Sequence, residues 1–93
     1  MIDFSHANSH KNYRRQTEVA TNVASQIAAG NHSICGVMIE SHLTEGNQKI
    51  DGKKRGQLVY GQSITDGCIN FEITELVLNQ LADAVEKRRK VKQ

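Results

Sequence analysis

Residues 34–39, Ile-Cys-Gly-Val-Met-Ile, form an unbroken apolar run bounded by Ser33 and Glu40. A run of that kind suits a strand covered on both faces, as in parallel sheets. Working outward, residues 10–29 carry a helical pattern: Val19, Val23 and Ile27 recur every four positions, flanked by Ala20 and Ala24. Ser9 is suited to cap that helix at its start, and Gly30 to the left-handed residue that follows a helix end. Before it, residues 1–5 read as a short strand. After the central run, residues 41–62 are polar and Gly-rich with neither period, the mark of a functional or disordered loop. Residues 63–69, Ser-Ile-Thr-Asp-Gly-Cys-Ile, are a third strand. Asn70 then caps a helix over about 71–90, with Leu78, Leu81 and Val85 on one face beside Val77 and Ala84.

The order strand–helix–strand–loop–strand–helix implies parallel pairing and an α/β architecture. Three strands and two helices cover both faces of such a sheet poorly. The chain thus reads as part of something larger.

Composition narrows the functions. Ninety-three residues make one small domain at most. No stretch approaches the ~20 apolar residues of a membrane span. Met-Ile-Asp-Phe lacks the basic and apolar regions of a signal peptide, so the expected compartment is the cytoplasm. Two cysteines, Cys35 and Cys68, are no disulfide framework. The chain has no Pro, where about five are usual for its length. The net charge of +2 is a property of one end. Lys87, Arg88, Arg89, Lys90 and Lys92 make residues 86–93 a basic tail, whereas residues 1–85 hold seven basic and nine acidic residues. Those cations suit a helix C-terminus. With four aromatic residues in the chain and none in the tail, there is no platform for stacking bases, and no nucleic-acid partner is expected.

The strand ends carry the chemistry. The first strand runs into His6, the second into Glu40, and the third holds Asp66 near its end. In parallel α/β folds, and above all in (β/α)₈ barrels, active-site groups sit at the C-terminal ends of strands. One imidazole and two carboxylates are a ligand set for Mn²⁺, Fe²⁺, Co²⁺ or Zn²⁺. Read singly, each is more often a solvated loop residue than a ligand; their repetition at equivalent positions points to one shared site. His10, His32 and Cys35 read as turn, cap or core residues, and Cys68 as a buried thiol. No CxxC, GxSxG or P-loop pattern is present.

Four motifs then bear a resemblance: Met-Ile-Asp-Phe-Ser-His-Ala-Asn-Ser (1–9), Gly-Val-Met-Ile-Glu-Ser-His-Leu (36–43), Glu-Gly-Asn-Gln (45–48) and Tyr-Gly-Gln-Ser-Ile-Thr-Asp-Gly-Cys-Ile (60–69). In order and spacing the chain resembles the C-terminal third of type I 3-deoxy-D-arabino-heptulosonate 7-phosphate (DAHP) synthases. The resemblance implies the last three strands, with their helices, of a (β/α)₈ TIM barrel spanning 1–93. It implies an enzyme that joins phosphoenolpyruvate to D-erythrose 4-phosphate and releases phosphate, opening the shikimate pathway to aromatic amino acids. Its divalent metal is held by a Cys, a His, a Glu and an Asp. The last three fall on His6, Glu40 and Asp66; His6 and Asp66 are also the catalytic residues implied, with Asp66 near the sugar hydroxyls. The resemblance further suggests roles close to the metal for Asn8, Ser41 or His42.

The family's metal-binding Cys, its Lys-Pro-Arg-Thr motif and its phosphate-gripping cations fall on segments that precede Met1, and neither Cys35 nor Cys68 matches that Cys. Phe71-Glu72-Ile73 stands where the family commonly has Trp-Glu-Asp. The expectation is a segment of a homo-oligomeric synthase, inactive alone. Two alternatives are a stand-alone metal-binding protein built on the same three residues and a fragment that completes a barrel with a separate chain.

Overall fold

The computed structural model describes residues 1–52 and 54–91, with the backbone alone at Arg55. Lys92, counted above with the basic tail, lies outside the described residues. The strand β1 (Ile2–Asp3) pairs in parallel with β2 (Val37–Met38), Ile2 opposite Val37 and Asp3 opposite Met38. The ladder is tied by Ile2 N to Gly36 O and Phe4 N to Met38 O, both 2.9 Å. Just past β2 the chain takes a second neighbour. Ser41 bridges Ile69 in parallel: Ile69 N donates to Glu40 O and His42 N to Ile69 O. The expected parallel α/β arrangement is therefore present, as an open slice.

The ladders are shorter than the apolar runs. Val37, Met38 and Ile39 are half-buried and Cys35 is exposed, so the run 34–39 is not covered on both faces among the described residues. The predicted third strand is split. Gln62–Ser63 (β4) pairs with Thr44–Asn47 (β3), and Cys68 and Ile69 pair separately with Gly46 and Ser41. Among its described residues the polar stretch 41–62 thus carries β3 and the start of β4. Glutamine side chains hold it where hydrophobic alternation would normally do so. Gln48 Nε2 donates to the carbonyls of Val59 and Gln62, Gln62 Nε2 donates to Glu45 O, and Val59 N donates to Gln48 Oε1.

Helix α1 (Gln16–Ala28) follows a 3₁₀ turn, Tyr13–Arg15, capped by the Asn12 side chain. Ser9, the expected cap, is instead wholly buried and donates its hydroxyl to His6 O. Gly30 closes the helix at φ +106°, the left-handed residue expected there. Helix α2 (Phe71–Lys90) begins at Asn70, whose side-chain oxygen accepts from Ile73 N at 2.8 Å. Its inner stripe is Val77 and Ala84 with Ile73, Leu81 and Val85 beside them. Leu78, expected inside, is exposed. It stands ~100° around the helix from Val77, off the seam with α1. The basic end belongs to α2, where Lys87–Lys90 form the last turn. Arg88 Nη1 donates to the carbonyls of Asn31 and Ile34 and pins the α1–β2 connection.

The core lies between the strands and both helices: Phe4, Ile34 and Ile69 meet Ala20, Val23, Ala24, Ile27, Val77 and Ala84. Small residues at 20, 24 and 84 let the helices approach closely. The radius of gyration is 15.8 Å, against about 12 Å for a compact domain of this length. The slice is elongated, and Leu43, Val59, Ile64, Phe71 and Leu76 lie more than half exposed.

Because the Asn70 side chain satisfies a first-turn N–H of α2, Asn70→Ala is expected to destabilise the chain by about 1 kcal/mol, read as a lower urea midpoint at unchanged slope.

Candidate metal centre

His6 follows directly on β1 and Phe4–Ser5. Its φ is +50°, a left-handed conformation that His adopts more readily than most residues, and it turns the chain out of the sheet. His10 and Lys11 share that conformation, so 6–11 is a tight turn, closed by Lys11 N to His6 O at 2.7 Å. Asn8 Nδ2 ties the turn to Asp3 O. The imidazole is held at Nδ1 by Asp3 Oδ2, 2.8 Å away. That contact leaves Nε2 to face Asp66 Oδ2 at 3.1 Å and Glu40 Oε1 at 3.6 Å.

Glu40 stands where the chain passes from its β1 neighbour to Ile69. Its Oε1 accepts from the Ser5 hydroxyl. Its backbone N–H and C=O are both bonded by the side-chain amide of Gln16. Asp66 reaches the site by another route. It does not follow the third pairing but precedes it, on the bend between Ser63 and Cys68. Asn47 Nδ2 holds that bend at Thr65 O. The Tyr13 ring presses on it at Gly67, where a Cβ would stand 2.6 Å from Tyr13 Cδ1. Any side chain at 67 would push the bend from the ring.

His6, Glu40 and Asp66 are therefore brought together, one ligand atom of each within 4.8 Å of the others. Donors about 2.1 Å from one ion stand roughly 3–4 Å apart; His6 Nε2 meets both carboxylates within that range, and an N,O,O set is one that divalent cations take. The cleft above them measures about 320 Å³, and Ser5, Lys11, Tyr13 and Asn47 share its lining. The cysteines stay out of the cluster. Cys35 is exposed; Cys68 is buried, with burial pushing its thiol pKa up. His42 Nδ1 accepts from Leu43 N, and the Ser41 hydroxyl bonds that of Thr74. Sequence reasoning missed Asp3, Ser5 and Gln16. Gln16 had a signal: it continues the buried stripe Ala20–Val23–Ile27 one turn toward the N-terminus, an amide at an apolar position.

With a carboxylate at each nitrogen, the ion-free imidazole favours its charged form. The hydrogen bond to Asp3, then that to Asp66 and the charge of Glu40, raise its pKa above the ordinary 6.5. The same His6 contact holds the Asp3 carboxyl below its ordinary 3.8.

A family description, the DAHP synthetase I family, matches residues 1–79. The chain is 54% identical over 89 residues to the Phe-sensitive phospho-2-dehydro-3-deoxyheptonate aldolase of Escherichia coli K12, covering 96% of this chain and 25% of that protein. It is 56% identical over 91 residues to the phospho-2-dehydro-3-deoxyheptonate aldolase of Haemophilus influenzae, covering 97% of this chain and 24% of that protein. Among solved structures it is similar to a phospho-2-dehydro-3-deoxyheptonate aldolase from Francisella tularensis SCHU S4, with a TM-score of 0.88 and 48% identity over 96% of this chain and 25% of that one. The chain spans about a quarter of the length of these relatives.

Without metal, His6 is expected to titrate above 6.5, and Asp3→Asn to bring it back down, as followed by NMR of the imidazole. The stabilisation from this pairing is fully present below the unfolded value and lost as pH rises through the folded one. For Asp3 the sign reverses: its share is present above 3.8 and lost as pH falls through the lowered value. Metal uptake has the opposite trend to the His6 pairing and strengthens as protons leave Nε2. A His6 titration unchanged by Asp3→Asn would remove Asp3 as its cause.

Proposed function

The chain belongs to the DAHP synthetase I family, and from that premise we propose that residues 1–93 form the metal-holding segment of an enzyme that condenses phosphoenolpyruvate with D-erythrose 4-phosphate and releases phosphate. The observation that carries this reading is the meeting of His6, Glu40 and Asp66 from three separate parts of the chain. They would hold the divalent ion. When bound, that ion supplies Lewis-acid polarisation of the aldehyde.

The chain's own residues divide the remaining work. Asp3 holds the His6 ring so that Nε2 is presented to the cleft. Ser5 holds one oxygen of Glu40. Asp66, with 62% of its side chain exposed, is open to accept hydrogen bonds from hydroxyls of the sugar phosphate. Lys11 lends a positive charge to the cleft that receives two anionic substrates.

The three ligands lack the Cys that the family uses as a fourth, and the cations that grip both phosphates fall on family segments outside these 93 residues. Since positioning and preorganised charge supply much of catalysis, the 93 residues alone are inactive in this reading. The exposed apolar side chains at Leu43, Val59, Ile64, Phe71 and Leu76 support it, because a barrel segment is covered by neighbouring segments. A complete enzyme of this kind is a soluble, cytoplasmic one. None of the described helices is long and apolar enough to cross a membrane.

The test is complementation. The chain is mixed with a separately produced segment covering the rest of a relative's barrel, and condensation is assayed with both substrates and Mn²⁺. Activity is expected from the mixture and absent from the chain alone. Glu40→Gln and His6→Ala should each lower the restored rate by more than about 100-fold. Turnover by the chain alone would overturn the inactivity claim. A mixture made with Glu40→Gln that turns over like wild type would remove Glu40 from the ligand set.

A further inference from the structure

We propose that Gln16 is a positioning residue that sets the Glu40 carboxylate for the metal, an inference that rests on Glu40 being a ligand. Gln16 opens α1, 24 positions before Glu40 in sequence, and is wholly buried. Its Nε2 donates to Glu40 O at 3.0 Å and its Oε1 accepts from Glu40 N at 2.8 Å. One side chain thus grips both peptide groups of one residue, as a neighbouring strand would.

The position of that grip gives it its role. Ahead of Glu40 the chain pairs with β1 through Gly36 and Met38; behind it, with Ile69 through Glu40 O and His42 N. Glu40 is the changeover, and its N–H finds its partner on the helix. An amide side chain carries a donor and an acceptor about as far apart as a peptide group does. An ionised Glu at 16 would lack the donor, and a Met would lack both. Gln16 itself is wholly buried, so its amide depends on Glu40 for its partners. With the backbone of Glu40 held from below by Gln16 and its Oε1 by Ser5, the carboxylate is fixed at both ends, 3.6 Å from His6 Nε2. The helix thereby couples its own docking to the geometry of the ligand.

The test uses the 93-residue chain with Gln16→Met, of similar shape and without either bond, and Gln16→Glu, which keeps the acceptor. Val77→Ala serves as a core change that does not touch Glu40. Two readouts are taken. Amide hydrogen exchange without metal should lose protection at Glu40 in Gln16→Met, while Phe4 and Ile69 keep theirs. Titration with Co²⁺ should show binding weakened about 10–100-fold and an altered absorption band in Gln16→Met. Gln16→Glu should retain more of both, and Val77→Ala should match wild type.

Wild-type Co²⁺ affinity and spectrum in Gln16→Met overturn the inference, as does retained protection at Glu40. Should Gln16→Met fail to fold, Gln16→Glu with unaltered affinity and spectrum overturns it equally. Absence of Co²⁺ uptake by wild type overturns the reading of the metal centre itself. The exchange of the Glu40 amide then still decides whether Gln16 fixes that residue.

Discussion

Parallel pairing around residues 36–42 is the constraint on which the rest depends. Parallel strands run in one direction, so their ends lie on one edge. Phe4 N bonded to Met38 O sets the end of β1 level with the end of β2, and the turn that follows carries His6 over Glu40. Ile69 N bonded to Glu40 O brings the third segment to the same level from the other side. Antiparallel pairing of β1 with β2 would send His6 to the opposite edge from Glu40. The register therefore does chemical work, since a slip of one residue would reverse the face of every side chain beyond it.

The helices serve that edge as well as the core. Helix α1 buries Ala20, Val23, Ala24 and Ile27, the usual apolar stripe of a helix on a sheet. One turn earlier the same stripe carries Gln16, and the burial that docks the helix also delivers an amide to Glu40. Just ahead of α1, at Tyr13, the chain makes a further link to the site. The Tyr13 ring lies on Gly67, which leaves Asp66 next to it at the mouth of the cleft.

Much of this was legible beforehand. Asn70 and Gly30 are local devices whose chemistry requires no distant partner, and both stand as read. The parallel order followed from the alternation of apolar runs with helical periods. The polar stretch 41–62 misled, because its structure comes from glutamine amides bonding backbone carbonyls, which leave no periodic trace. Leu78 misled for the opposite reason. Its hydrophobicity was plain, but only the line of contact with α1 determines which side of α2 is inside. Asp66 was expected near the end of the third strand; it sits instead on a bend before the third pairing, and still lies beside His6.

The sequence by itself singled out His6, Glu40 and Asp66 as one candidate site and put them on three segments. His6, Glu40 and Asp66 are set by residue type and by position within short motifs, which is local information. Only the tertiary structure decided what holds them. Asp3 at the imidazole, Ser5 at the carboxylate and Gln16 at the backbone beneath it depend on distances between segments as far apart as 35 positions. A hydrogen bond operates over about 3 Å, and no pattern along a chain reports which distant groups folding will bring within that reach.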